Sequence, residues 1–378
     1  MNLLVAGGGV GGLTLAVALE QRGIDYVVFE RSPAIDPIGA GLLLSPNATR
    51  LLGKLGLLDA VLRVGRATRR WRILDDSGRV LREIVLPDAD APGVSIHRAD
   101  LQRLLLDRLP VARVRLGTSV ATVAGGDDGI RVALGDGESV GARAMVGADG
   151  VHSCVRASVL GDGAPVYRGY VGWRGIANCV PPGYEGSLSE SWGPGGRFGI
   201  APIDRQRTYW YASANRPRGW THAPAARQRD LLAWFGAWHE PVAALIAATP
   251  TDAILCNDIC DRPPTRPWSR GSVTLLGDAA HPMTPNLGQG ACSAIEDAWV
   301  LARELARTSS IGDAFRRYED IQYPRTAFLQ RQSLALGRVV QLERGWALTL
   351  RRTVARCAPR WLDRIPVTQI FRYDADAA

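Results

Sequence analysis

Six residues near the start, Gly7-Gly8-Gly9-Val10-Gly11-Gly12, carry the spacing G-x-G-x-x-G. Gly7 permits a tight turn, Gly9 lets backbone approach a pyrophosphate, and Gly12 lets a following helix close on the preceding strand. A helix opening there offers unpaired N–H groups and a partial positive charge to phosphate. Glu30, eighteen residues beyond Gly12, can accept hydrogen bonds from ribose hydroxyls. These residues point to a bound dinucleotide and leave NAD and FAD both open.

A second constellation lies far along the chain. Leu276-Gly277-Asp278-Ala279-Ala280-His281-Pro282 is followed by Pro285-Asn286-Leu287-Gly288-Gln289-Gly290-Ala291. An apolar strand ends at a Gly-Asp step, and a Pro/Gly loop then enters a long helix. The Asp278 carboxylate can accept a ribityl hydroxyl, and the glycines at the helix start expose N–H groups to an anionic ring edge. Between the two stands Val146-Gly147-Ala148-Asp149-Gly150-Val151-His152-Ser153-Cys154-Val155-Arg156.

On these three motifs the chain resembles the single-component FAD-dependent aromatic hydroxylases, the monooxygenases related to para-hydroxybenzoate, salicylate and urate hydroxylases. Gly39-Ala40-Gly41, Pro46-Asn47-Ala48 and His97-Arg98-Ala99-Asp100-Leu101 are smaller matches, and the likeness spans about residues 3 to 340. The resemblance implies a cofactor set of Gly7, Gly9, Gly12, Glu30, Arg31, Gly41, Arg98, Asp149, Gly150, Arg156, Asp278, Pro285, Gly288, Gln289, Gly290 and Ala291. It implies FAD reduced by NAD(P)H, uptake of O2 as a C4a-hydroperoxide, and transfer of one oxygen to an aromatic or heteroaromatic small molecule. The cofactor carries the hard chemistry, and the protein must keep water away. Arg197 and Tyr209 match the pair that urate hydroxylases place beside substrate. Asn286 stands where those enzymes carry an acid, and an amide orients a heteroatom but is a poor base. Alternatives are epoxidation of an alkene, or a flavin-binding protein without monooxygenase activity.

The elements that must position these residues follow from periodicity. Leu3–Ala6, a helix from Leu13 to Arg22 and Ile24–Glu30 read as one βαβ unit. Helical patterns follow at Pro46–Val64, Arg98–Leu109, Arg227–Ala247 and Ala291–Arg307, with buried strands at Ala142–Gly147 and Ser272–Leu276. The aromatic-rich stretch from 166 to 270 reads as strands, among them Thr208–Ser213. The expected architecture is α/β, a Rossmann-like FAD-binding domain interrupted by a β-sheet substrate domain and followed by C-terminal helices. Its expected bounds are 1–70, 97–165 and 271–340 for the first domain, 71–96 and 166–270 for the second, and 341–378 for the tail. The basic, amphipathic segment Trp346–Leu362 is expected to dock over the FAD domain, His281 to pack beneath the cofactor, and Trp173 to be a buried sheet residue.

Composition narrows the class. The chain has 378 residues, 46% apolar and 22% charged, which is globular and allows about two domains. Formal charge is +8, yet Lys54 is the one lysine and the arginines are scattered. Nucleic-acid binding wants a dense basic stripe with aromatics, so none is expected. Six cysteines show no CxxC pair and no metal spacing, and no metal is expected. The opening residues have no basic n-region and no cleavage site, and no run of eighteen apolar residues occurs. The expectation is a cytoplasmic monomer or homodimer without a membrane span.

Overall fold

The computed structural model describes residues 3–35, 40–86, 91–126, 129–220, 224–359 and 367–378. Gly39 of the sequence reading lies outside the described residues.

The fully buried strand Leu3–Ala6 is the axis of a parallel sheet. It pairs with Tyr26–Glu30 on one side and Ala144–Gly147 on the other. Val114–Leu116 and Val273–Leu275 complete the sheet at its two edges. Helices Val10–Glu20, Gly290–Arg307 and Ile311–Val340 cover it and share one apolar core with the strands. Near-continuous apolar strands are what a sheet covered on both faces requires.

A second, seven-stranded sheet runs in the order Leu255–Asp261, Val166–Ala177, Thr208–Asn215, Gly196–Pro202, Ser187–Gly193, Arg70–Asp75 and Val80–Val85. Side chains alternate between its faces. One face buries Trp173, Phe198 and Trp210 against helices Pro224–Phe235 and Val242–Ala247. The register puts Tyr170, Arg174, Glu190, Trp192, Arg197, Tyr209 and Tyr211 on the other face. Tyr209 there packs against Ala40 and Leu43, which brings this face to the nucleotide-binding half.

Three expectations need correction. The helical pattern over Pro46–Val64 forms two helices, Pro46–Lys54 and Leu58–Val64, because Gly56 turns left-handed between them (φ +70°). The pattern over Arg227–Ala247 is likewise divided, since Pro241 cannot continue a helix. The tail helix Gly345–Cys357 lies not on the nucleotide-binding half but near Val80–Val85, at the edge of the seven-stranded sheet. It is the last residues that return to that half: Arg303 Nη1 donates to the carbonyls of Ala375 and Asp376, and Arg50 Nη2 to those of Phe371 and Tyr373. Among the described residues, no helix is long and apolar enough to cross a membrane, and no cluster of His, Cys, Asp or Glu could hold a metal.

Candidate active site

The glycine turn is closed at Gly7 and Gly12 and open at Gly9. Gly7 has φ +106°, and a Cβ there would collide with the Ala148 carbonyl, while one on Gly12 would collide with the Gly7 carbonyl. Nothing lies within 4 Å of where a Gly9 Cβ would stand. Glu30 fixes the turn by accepting from the N–H of Gly8 at 2.6 Å, and its other oxygen accepts from Ser32 at 2.8 Å. Gln102 Nε2 donates to the Gly8 carbonyl at 2.9 Å, anchoring helix Arg98–Leu106 beside the turn. His97 caps that helix, its Nδ1 accepting from Ala99 at 3.1 Å, and burial pushes its pKa down toward the neutral form this bond needs.

Arg98 and Asp278 lie within electrostatic reach of each other, and Arg98 within that of Glu30 at the turn. Both side chains are open to solvent, and neither has a hydrogen-bond partner among the described residues. Burial nevertheless lowers the Arg98 pKa, with Arg174 adding to it and Asp278 and Glu30 opposing. Burial likewise raises that of Asp278, against His281 and Arg98. Water reaching the tip of a group walled in by protein is the condition of a deep cleft, where a ligand charge is little screened.

The Asp278 loop is held from behind. Asp297 accepts from the Gly277 N–H at 2.9 Å, from Gln322 at 3.1 Å, and pairs with His281 at 2.6 Å. Arg156 Nη1 donates to the carbonyls of Ala279 and Ala280 at 2.8 and 2.7 Å, and the guanidinium pairs with Asp162. Arg156 is therefore a positioning residue for the 277–280 loop, with its donors already engaged. Asp149 divides its carboxylate: Oδ2 accepts from the N–H groups of Cys154 and Val155, and Oδ1 is buried without a partner. Gly150 follows at φ +85°.

Pro285 starts a short 3-10 turn that Gly288 ends in the left-handed region (φ +62°), and helix Gly290–Arg307 opens directly after. Its first N–H groups, at Gly290 and Ala291, have no carbonyl within the helix to bond. Gln289 bridges to the opposite segment, donating to Ser45 Oγ at 3.0 Å and accepting from Asn47 at 3.2 Å. The helix N-terminus and the free guanidinium are donors for a pyrophosphate, the free carboxylate and the lone Asp149 oxygen are acceptors for hydroxyls, and the open glycine leaves room, so FAD fits the site. Gly41 serves the cleft differently, since a Cβ on it would enter the Tyr209 ring. Arg31 is exposed at the end of Tyr26–Glu30.

The substrate-side residues form one buried cluster on the sheet face. Arg197 Nη1 lies 3.4 Å from Glu190 Oε2. The same carboxylate accepts from Tyr211 Oη at 2.6 Å and Trp192 Nε1 at 2.5 Å. Arg197 Nε has no partner. Burial opposes the Arg197 charge, but Glu190 and the surrounding tyrosines keep its pKa raised. Burial raises the pKa of the Tyr209, Tyr211 and Tyr170 phenols, with Glu190 adding at Tyr211, so all three are donors and not bases near neutrality. Asn286 sits apart from Arg197: its Nδ2 reaches Ser333 O at 2.8 Å, Thr284 Oγ1 at 2.9 Å and Tyr170 Oη at 3.0 Å. Three acceptors share its two hydrogens, so Asn286 braces the 277–290 loop against the sheet through Nδ2, while Oδ1 has only Tyr170 Oη, at 3.4 Å. Glu190 escaped the sequence reading. Its signal was alternation, which sets an acid at 190 and Trp192 on the Arg197 face of the paired strand.

The FAD binding domain family matches residues 1–318 of the chain. The aurachin C monooxygenase/isomerase of Stigmatella aurantiaca is 41% identical over 94% of this chain and 94% of its own. The 3-amino-4-hydroxybenzoate 2-monooxygenase of Streptomyces cremeus is 38% identical over 91% of this chain and 89% of its own. The crystal structure of Klebsiella pneumoniae HpxO with FAD and uric acid superposes with a TM-score of 0.90 at 30% identity, over 98% of this chain and 96% of that one.

Proposed function

The chain belongs to the FAD binding domain family and is an FAD-dependent, NAD(P)H-consuming monooxygenase, and we propose that it hydroxylates a planar aromatic or heteroaromatic molecule held by Arg197 and Tyr209. The observation that carries this reading is the Arg197–Glu190–Tyr211 cluster, buried on the one sheet face that meets the nucleotide-binding half. The relatives support it, since one is named for an aminohydroxybenzoate and HpxO was crystallised with uric acid.

When bound, FAD supplies the redox chemistry and delivers one oxygen from O2. The chain's own residues prepare both partners. Arg98 and the first N–H groups of helix Gly290–Arg307 meet the cofactor's negative charge, while Asp278 and Asp149 Oδ1 accept from its hydroxyls. The Gly7–Gly12 turn, steadied by Glu30 and Gln102, would admit the pyrophosphate, with Arg31 at its rim and Gly150 in the turn after Asp149. Pro285, Gly288, Gln289 and Ala291 shape the ring edge of the site. Arg197 stabilises oxyanion character on a ring carbonyl or phenol, which raises nucleophilicity at the neighbouring carbon. The Tyr209 phenol stays protonated and donates to the same molecule. Ala40, Ala201 and Ile203 pack around Tyr209 and exclude water.

The same reading divides the chain at 1–70, 97–165 and 271–340 for FAD, 71–96 and 166–270 for substrate, and 341–378 for the tail. It takes O2 as co-substrate and a cytoplasmic monomer or homodimer as the working form. It includes no nucleic acid, because the +8 charge is scattered.

The test is a screen of phenols, aminophenols, purines and quinolones for stimulated NAD(P)H oxidation with a product heavier by one oxygen. Arg197→Met is expected to raise KM for the responding compound about tenfold or more while flavin content stays at the parent level. Stimulation by alkenes alone, or an Arg197→Met enzyme with parental KM, would overturn the substrate assignment.

A further inference from the structure

The tail helix Gly345–Cys357 presents an apolar stripe that the described residues leave uncovered. Trp346, Leu350 and Val354 follow one another at intervals of four residues and are 69%, 56% and 56% exposed. Such intervals align side chains on one helix face. The other exposed positions of this helix are Gly345, Thr349, Thr353, Arg356 and Cys357, so the outer face carries no acid. The stripe is rigidly presented. Arg351 donates to the Val340 carbonyl at 2.7 Å and the Gly193 carbonyl at 3.1 Å, and Arg352 pairs with Asp76 at 2.6 Å. Beside it an apolar groove of about 520 Å³ is walled by Leu342, Trp346, Leu350, Val354, Ile73 and Trp192.

Single exposed apolar residues are ordinary, whereas a continuous stripe along a groove marks a surface that is covered in use. The charges around it choose the occupant. Arg338, Arg344 and Arg356 are exposed with no ion-pair partner among the described residues. The nearby acid Glu343 accepts from the neutral Asn215 amide at 2.7 Å and keeps its charge, which the three arginines outnumber. Free cations beside a stripe that begins with Trp complement an anionic lipid surface, with the indole at the polar–apolar boundary.

We propose that helix Gly345–Cys357 is an interfacial helix that seats the protein reversibly on a membrane rich in anionic lipid, with the groove receiving an acyl chain. Trp192 at the floor of the groove also donates to Glu190, so the docking surface and the substrate cluster share one sheet face.

The test is co-sedimentation of the holoenzyme with vesicles of phosphatidylcholine alone or mixed with phosphatidylglycerol, at low and high salt. The parent is expected to pellet with the mixed vesicles at low salt, and about tenfold less in high salt, where surface charge is screened, or with phosphatidylcholine alone. Trp346→Glu/Leu350→Glu is expected to stay in the supernatant with unchanged flavin content. Arg338→Gln/Arg344→Gln is expected to weaken the anionic-lipid preference. A parent that does not pellet, or a stripe variant that pellets like the parent, overturns the proposal. So does a concentration-dependent dimer that the stripe variant dissociates, which would assign the surface to a second copy of the chain.

Discussion

The Arg197 guanidinium stands 3.4 Å from the Glu190 carboxylate, and only 2% and 3% of the two side chains reach solvent. Removing one member of such a pair strands a buried charge, while replacing both with apolar groups of similar size does not. Glu190→Leu is therefore expected to lower unfolding free energy by about 3 kcal/mol or more. The double variant Glu190→Leu/Arg197→Met should recover much of that loss in denaturant titrations. A double variant no more stable than Glu190→Leu would mean that the two side chains are not coupled.

Asp278 is a free carboxylate in the cleft, and its part is to accept hydrogen bonds from FAD. A hydrogen bond to a charged group contributes about 1.5–3 kcal/mol, so Asp278→Ala should weaken FAD affinity by about 10- to 100-fold. Fluorescence titration of the apoprotein reads this directly. Parental affinity in the variant would remove Asp278 from the cofactor set.

Gly41 meets the Tyr209 ring where its own Cβ would be. Gly41→Ala should displace that ring, since overpacking costs about 1–3 kcal/mol. The expected signature is a fall in kcat/KM for substrate larger than the loss in FAD affinity. Equal losses in both would place Gly41 against the cofactor alone.

His281 and Asp297 are a buried pair at 2.6 Å. Burial works against the imidazolium, but Asp297 overcomes it and the His281 pKa is raised. A raised folded-state pKa means the folded state binds more protons than the unfolded one. The pair's contribution is then whole below about 6.5, the ordinary histidine value, and is lost as pH rises through the raised value. Thermal unfolding of the parent should show this decline above neutrality, and His281→Gln should flatten it. An identical pH profile in the variant would locate the decline elsewhere.

The nucleotide-binding half was legible because its signals are local. The Gly7–Gly12 spacing, the apolar strands and the Gly277-Asp278 step each fix backbone geometry within a few residues. What escaped depends on contacts made across the fold. Glu190 and Arg197 stand on the two arms of one hairpin turned at Gly193-Pro194-Gly195-Gly196, and that local pairing does not say that their shared face is buried against the nucleotide-binding half. Position in a motif places Asn286 in the loop, but not its bonds to Ser333 and Tyr170, which come from elements far away in sequence. Arg156 was read as a cofactor contact for the same reason, although its donors engage the back of the Asp278 loop. The tail helix was read as amphipathic, and amphipathicity does not say which surface it covers.

Isotope tracing bears most directly on the chemistry. With labelled dioxygen, NADPH and a responding aromatic compound, the product should carry one labelled oxygen per turnover, and none should come from labelled water. Label entering from water, or flavin reoxidation that yields only hydrogen peroxide with every aromatic tested, would contradict oxygen transfer at this site.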